Sequence, residues 1–76
     1  NPVRDKLTLT FTMKKITNGT VVIYDELGRK VGEAFQQKLY PGINTIQLNS
    51  TNLKTGIYFV SLNMDGNTIT KQIIKE

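Results

Sequence analysis

The clearest signal in this chain is the run Gly56-Ile57-Tyr58-Phe59-Val60-Ser61-Leu62-Asn63. Apolar, β-branched and aromatic residues dominate it, and these types fit the pleated surface of a β-sheet. The next four residues are Met64-Asp65-Gly66-Asn67, and an Asp-Gly step between two apolar runs is a strong hairpin signal. The return run, residues 68–75, ends one residue before Glu76. We therefore expect a β-hairpin whose second strand is formed by the C-terminal residues. These residues should then be ordered instead of frayed.

Size and composition limit the classes of protein to consider. With 76 residues, the chain is one domain near the lower size limit for folding without covalent cross-links. It has no cysteine, which excludes disulfides and thiolate metal sites, and 38% hydrophobic with 21% charged residues is typical of a folded protein. No apolar run is long enough to span a membrane. The chain begins at Asn1-Pro2 without an initiator Met or a signal-peptide pattern, so we expect residues 1–76 to be part of a longer protein.

The charge balance is moderately basic. Ten Lys and Arg residues against six Asp and Glu residues give a net charge of +4. The basic residues are scattered, and only Lys14-Lys15 and Arg29-Lys30 are adjacent. A nucleic-acid footprint normally clusters on one face. We therefore expect solvated charge and no nucleic-acid partner.

Other short strands are predicted before the terminal hairpin. Lys6–Met13 alternates apolar residues with lysine and threonine, as a half-buried antiparallel strand does. Residues 20–24 are apolar on both faces, which predicts a central strand, and residues 30–35 predict a weaker strand. Residues 43–48 alternate again, with Ile46 and Leu48 expected to point inward, and residues 36–39 leave room for a seventh strand.

Turn signals separate these strands. Residues 14–19 are predicted to turn the chain before the central strand, with Asn18-Gly19 supplying residues that tolerate positive φ. Gly28 is expected to take the left-handed position of a type I turn plus bulge in residues 25–29, where Asp25 accepts backbone N–H bonds. Pro41-Gly42 is expected at the two central positions of a type II turn.

The fold prediction follows from this spacing of strands and turns. No window has the periodicity of an amphipathic helix, so the chain is predicted to be all-β, a small immunoglobulin-like antiparallel β-sandwich of about six to seven strands. Leu53-Lys54-Thr55-Gly56-Ile57-Tyr58 resembles the tyrosine corner of such sandwiches, with a merely half-buried Tyr58 as an equal alternative. Leu53 is expected to close the bottom of the core. The residues expected to face one core are Leu7, Leu9, Phe11, Ile23, Ile46, Val60, Leu62 and Ile73.

Catalytic chemistry has little support in this sequence. There is no His, and neither Ser50 nor Ser61 has an evident base, so no familiar nucleophile–base pair can be assembled. Asp65-x-Asn67 resembles the start of a calcium loop but lacks the later carboxylates, and a hairpin turn explains it better. We expect no enzyme, no metal site and no cofactor.

Five motifs follow one another in an order that carries a resemblance. They are Asn1-Pro2-Val3 before a Leu/Thr strand, Val22-Ile23-Tyr24-Asp25 with Leu27-Gly28-Arg29-Lys30-Val31, Gly42-Ile43-Asn44, residues 53–60, and Lys71-Gln72-Ile73-Ile74-Lys75. Over its whole length the chain resembles the C-terminal sorting domain of the type IX (Por) secretion system of Bacteroidetes. Each motif alone is weak evidence, because many β-sandwiches contain it. Five motifs in this order are specific to the family.

The resemblance implies a non-catalytic immunoglobulin-like secretion signal at the C-terminus of a cargo protein. Its partners would be an N-terminal cargo domain, the type IX translocon, and the outer-membrane shuttle and sortase components. The cargo would fold in the periplasm and cross to the outer-membrane surface or the medium, where a sortase usually removes the domain. A β-sandwich adhesion or carbohydrate-binding module is the alternative, and an inert spacer is a third.

A signal presented as a terminal strand can be read by edge pairing, through backbone hydrogen bonds and alternate side chains. We expect Lys71 and Lys75 to be solvated. Ile57 and Phe59 lie on the strand face opposite Tyr58, and are expected either to form a docking patch or to lie under a loop. The candidate recognition residues are Lys71, Gln72, Ile74, Lys75, Glu76, Ile57 and Phe59.

Overall fold

The computed structural model describes residues 2–3, 6–32, 34–49 and 51–76, with the side chains of residues 2, 3 and 7 left aside. The described residues contain strands and turns and no helix. The strands are β1 (Pro2–Val3), β2 (Lys6–Met13), β3 (Thr17–Asp25), β4 (Phe35–Leu39), β5 (Gly42–Asn49), β6 (Gly56–Met64) and β7 (Asn67–Lys75).

These strands form two sheets that pack as a sandwich. The larger sheet has the order β1-β7-β6-β3-β4, and the smaller sheet consists of β2 and β5. The result confirms the predicted all-β, immunoglobulin-like sandwich, with β3 inside its sheet as expected. One pairing departs from the antiparallel pattern, because the short β1 runs parallel to β7, with Pro2 opposite Ile74 and Val3 opposite Lys75.

The core lies between the two sheets and agrees with the prediction. Six of the eight expected residues are buried, Ile23 is partly buried and packs against them, and the side chain of Leu7 lies outside the described residues. Leu53 also packs against the core at its margin, as predicted. The buried apolar residues of this cluster are Leu9, Phe11, Val21, Leu39, Ile46, Leu48, Tyr58, Val60, Leu62 and Ile73.

The tyrosine corner is present. The Tyr58 hydroxyl donates a 2.7 Å hydrogen bond to the carbonyl oxygen of Lys54, four residues upstream. Only 8% of Tyr58 is exposed, so the ring belongs to the core while the hydroxyl holds the loop before β6. This bond fixes the point at which the chain enters the terminal hairpin.

The turn predicted over residues 14–19 is present but shorter, and the prediction is wrong for Asn18-Gly19. Both residues lie inside β3, and the chain turns earlier, in residues 14–16. Gly19 is buried and is not among the glycines with positive φ; a Cβ added to it would lie 2.6 Å from Cδ1 of Leu62. The glycine is needed because the fully buried Leu62 packs directly against the β3 backbone.

The weak strand predicted over residues 30–35 is also wrong. Lys30 forms a single bridge with Tyr24, and the Val31 N–H donates a 2.8 Å hydrogen bond to the Ile23 carbonyl. Gly32 then has a φ of +74°, a left-handed conformation that departs from regular strand geometry, and the pairing stops before it. The strand instead forms later in the chain, as β4. Its position agrees with the possible seventh strand predicted over residues 36–39.

The two other predicted turns are present. Gly28 has a φ of +83°, and Oδ1 of Asp25 accepts 2.9 Å hydrogen bonds from the N–H groups of Leu27 and Arg29. Gly42 has a φ of +99°, as the third residue of a type II turn requires. This second turn joins strands of different sheets, so it carries the chain across the sandwich instead of closing a hairpin.

Candidate functional site

The terminal hairpin is the longest continuous pairing in the larger sheet. β6 and β7 pair from Met64 opposite Asn67 to Gly56 opposite Lys75, with only Asp65 and Gly66 in the loop. Gly66 has a φ of +73°, the conformation that lets so short a loop reverse the chain. The sequence prediction of this hairpin is confirmed.

One side of β7 is largely open. The strand pairs with β6 along its whole length, but β1 covers its other side only at Ile74 and Lys75. Among the described residues, no strand pairs with residues 67–73 on that side. We call residues 67–73 of this side the open edge. It presents backbone N–H and C=O groups that a further strand can pair with.

The side chains of β7 divide between two faces. Ile73 is 3% exposed and points into the core, whereas Gln72 and Ile74 are exposed on the opposite face. Alternate residues of a strand share a face. Lys71 and Lys75 therefore lie on the inner face with Ile73.

The expectation that Lys71 and Lys75 are solvated is wrong. Lys71 is partly buried; its Nζ donates a 3.1 Å hydrogen bond to the Thr10 carbonyl oxygen and lies 5.0 Å from the centroid of the Phe11 ring. Lys75 is only 7% exposed. A lysine stem packs on apolar surface while its ammonium reaches a polar group, which allows both residues to occupy the inner face. Substitution of these lysines, or removal of Lys75 with Glu76, would therefore disturb the fold as well as any recognition.

Four of the candidate recognition residues lie on the outer face of the hairpin. Ile57 is opposite Ile74, and Phe59 is opposite Gln72 on one side and Tyr24 of β3 on the other. Because directly paired residues point to the same face, these side chains are neighbours. We define the outer patch as Tyr24, Ile57, Phe59, Gln72 and Ile74.

The five side chains of the outer patch differ in their exposure to solvent. Ile57, Phe59 and Tyr24 are half-buried, while Ile74 is 43% exposed and Gln72 is also exposed. Tyr24 was missed by the sequence analysis, although the run apolar on both faces already indicated that one member of β3 would point outward. Glu76 is exposed and follows the last residue of β7. The structure thus gathers Ile57, Phe59, Gln72 and Ile74 and places Lys71 and Lys75 on the other side of the sheet.

The loop of residues 25–29 carries the clearest electrostatic feature. The N–H of Arg29 donates to the Asp25 carboxylate and, with the Arg29 guanidinium and the N–H of Leu27, lowers the pKa of Asp25 from its usual 3.8. The guanidinium Nε lies 2.9 Å from Oδ2 of Asp25. These bonds hold the loop that follows β3.

Two negative findings apply to the described part of the chain. Its Asp and Glu side chains form no group of three that is suited to hold a metal ion. None of its segments is a helix of the length and hydrophobicity that a membrane crossing demands.

Comparison with known proteins completes the description. No curated protein matches the chain. A family model does match, and it covers residues 1–76, the whole of the chain; its description is "Secretion system C-terminal sorting domain". Two earlier observations agree with this match. They are the order of motifs in the sequence and the sandwich whose terminal strand, β7, is ordered. The chain belongs to the type IX secretion C-terminal sorting domain family.

Proposed function

We propose that this domain is a non-catalytic signal that directs a folded periplasmic cargo protein, joined to its N-terminal side, through the outer-membrane type IX translocon. Sortase processing at the cell surface would follow. The observation that carries the proposal is the family match over all 76 residues, which leaves no part of the chain for a separate catalytic unit. In transit the domain would be periplasmic, and afterwards it would be at the outer-membrane surface or in the medium.

The terminal hairpin is the part that we propose the secretion machinery reads. The open edge offers backbone groups that no described strand pairs with, next to the exposed side chains of Gln72 and Ile74. Edge pairing uses such an arrangement, since the backbone supplies affinity and alternate side chains supply specificity. A translocon or shuttle component would add a strand along residues 67–73 and contact the outer patch.

The candidate residues divide into two roles under this proposal. Gln72, Ile74, Ile57 and Phe59 would touch the partner, because they share the outer face. Lys71 and Lys75 would act through the fold, because they lie on the inner face. Glu76 would mark the end of the strand that is read.

A fusion tests the function directly. Residues 1–76 are joined to the C-terminus of a periplasmic reporter in a host that has the type IX system. We expect the reporter at the cell surface or in the medium when the translocon works, and in the periplasm when a translocon component is deleted. The reporter without the domain should remain periplasmic in both strains. Equal distribution of the fusion in both strains would contradict a sorting role.

A further inference from the structure

Two turns meet at the end of the sandwich remote from the tyrosine corner. The last pair of the smaller sheet is Met13 with Gly42, and the last pair between β3 and β4 is Thr17 with Leu39. Residues 14–16 and the turn at Tyr40 therefore lie side by side. We define the turn end as Lys14, Lys15, Ile16, Lys38, Tyr40 and Ile43.

The turn end carries three exposed large hydrophobic side chains. Ile16 is 58% exposed, Tyr40 53% and Ile43 77%, which is half of the large exposed hydrophobic side chains among the described residues. Isolated exposed side chains are ordinary, but a cluster at one place marks a contact surface. The molecule is 35 Å long and only 20 × 17 Å across, so three such side chains dominate one end.

Side-chain hydrogen bonds brace both turns. The Asn44 side chain accepts a 2.9 Å hydrogen bond from the N–H of Tyr40 and donates a 2.7 Å bond to the Tyr40 carbonyl oxygen. The Thr17 hydroxyl donates a 3.0 Å bond to the carbonyl oxygen of Lys15. The apolar side chains thus project from turns that these hydrogen bonds stabilise.

Among the described residues, the charge at the same end is mainly positive. Lys14, Lys15 and Lys38 are exposed, and Nζ of Lys38 lies 5.7 Å from the centroid of the Tyr40 ring. Asp65 lines the same hollow as Lys14 and Lys15 and is the one acidic residue among the described residues of that hollow. Glu26 lies at the other end of β3, and Glu76 follows the far end of β7. The fold gathers lysines that are far apart in the sequence.

We propose that the turn end is a binding site for an anionic phospholipid surface. Ile16, Tyr40 and Ile43 would enter the headgroup region, where an amphipathic tyrosine ring is favoured, and the three lysines would lie over the lipid phosphates. The footprint spans both sheets, which are about 10 Å apart. This activity is separate from the sorting function and does not depend on it.

Vesicle co-sedimentation of the 76-residue chain tests the site. The probes are vesicles of phosphatidylcholine alone and of phosphatidylcholine mixed with phosphatidylglycerol. We expect binding only to the anionic vesicles. Each of Lys14→Gln, Lys15→Gln and Lys38→Gln should weaken it about fivefold, and the triple variant Ile16→Ser, Tyr40→Ser, Ile43→Ser should abolish it.

Matched controls come from the opposite end of the sandwich. Leu27 is 75% exposed, and Lys30 and Lys54 are exposed there too, so Leu27→Ser and Lys30→Gln with Lys54→Gln remove the same chemistry elsewhere. These variants should bind as the unmodified chain does, and thermal melts should show all variants folded. The proposal is overturned if the unmodified chain ignores anionic vesicles, binds neutral ones equally, or loses binding equally through the control variants.

Discussion

Nζ of Lys71 donates a 3.1 Å hydrogen bond to the carbonyl oxygen of Thr10 and so ties the terminal strand β7 to β2 of the opposite sheet. Among the described strands β2 pairs with β5 alone, so its other side is an edge there, and the lysine bonds to a backbone carbonyl of that strand. A charged side chain that occupies an edge also discourages pairing with other chains. Lys71 thus closes one side of the sandwich, beside the open edge proposed for recognition.

Replacing Lys71 by methionine keeps the apolar stem and removes the ammonium. We expect the free energy of unfolding to fall by about 1 to 2 kcal/mol, because a charge-assisted hydrogen bond and a contact with the Phe11 ring are lost. Urea denaturation measures the change. Gln72→Met on the exposed face is the control and should stay within about 0.5 kcal/mol of the unmodified chain. Equal stability of all three proteins would show that the Lys71 bond contributes nothing to stability.

Export should depend on the outer face of β7 more than on its lysines. The double variant Gln72→Ser, Ile74→Ser, in the reporter fusion, should reduce export about fivefold or more, as loss of an interface anchor does. Its fold should persist, since both side chains are exposed. Leu27→Ser, an apolar truncation far from the hairpin, is the matched control and should be exported normally. Undiminished export of the double variant would move recognition to Ile57, Phe59 or another surface.

Gly19 and Leu62 should behave as a coupled pair. Gly19→Ala places a Cβ 2.6 Å from Cδ1 of Leu62 and is expected to cost about 1 to 3 kcal/mol through overpacking. Leu62→Ala alone should cost about 2 to 5 kcal/mol, because it leaves a cavity where a fully buried side chain stood. In the double variant the added methyl group enters space that Leu62 has vacated, so the combined cost should be smaller than the sum. A double-mutant cycle by thermal or urea unfolding measures this coupling, and strict additivity would contradict the close contact.

Asp25 should make stability depend on pH in the acid range. Its folded-state pKa lies below the usual 3.8, mainly because the N–H of Arg29 donates to the carboxylate. A lowered folded pKa means that the stabilisation is present above the unfolded pKa and is lost as the pH falls through the folded value. Thermal melts from neutral to strongly acid pH measure the effect. Asp25→Asn should flatten this part of the profile, and an unchanged acid limb would assign it to other carboxylates.

Local patterns were sufficient for much of the fold. The alternation in β2 and β5 predicted which residues face the core, since a strand with one buried face must repeat every two residues. Asp65-Gly66 predicted the terminal hairpin because its turn chemistry lies entirely within four adjacent residues. The phenol of Tyr58 reaches a carbonyl only four residues away, so the sequence also indicated the tyrosine corner.

Contacts between distant segments decided what these patterns could not. Gly19 reads as a turn residue, but its role is to let Leu62 of another strand approach. Lys71 reads as a solvated residue, but its ammonium reaches Thr10, sixty-one positions earlier in the chain. Lys38 is far from Lys14 and Lys15 in sequence and is brought to the same end of the sandwich by the pairing of β3 with β4. The sequence by itself determined most of the strands, the apolar residues on their inward faces and the family. Only the tertiary structure decided which edge is open and which lysines are buried, because these depend on the neighbour that packing supplies and not on the neighbour along the chain.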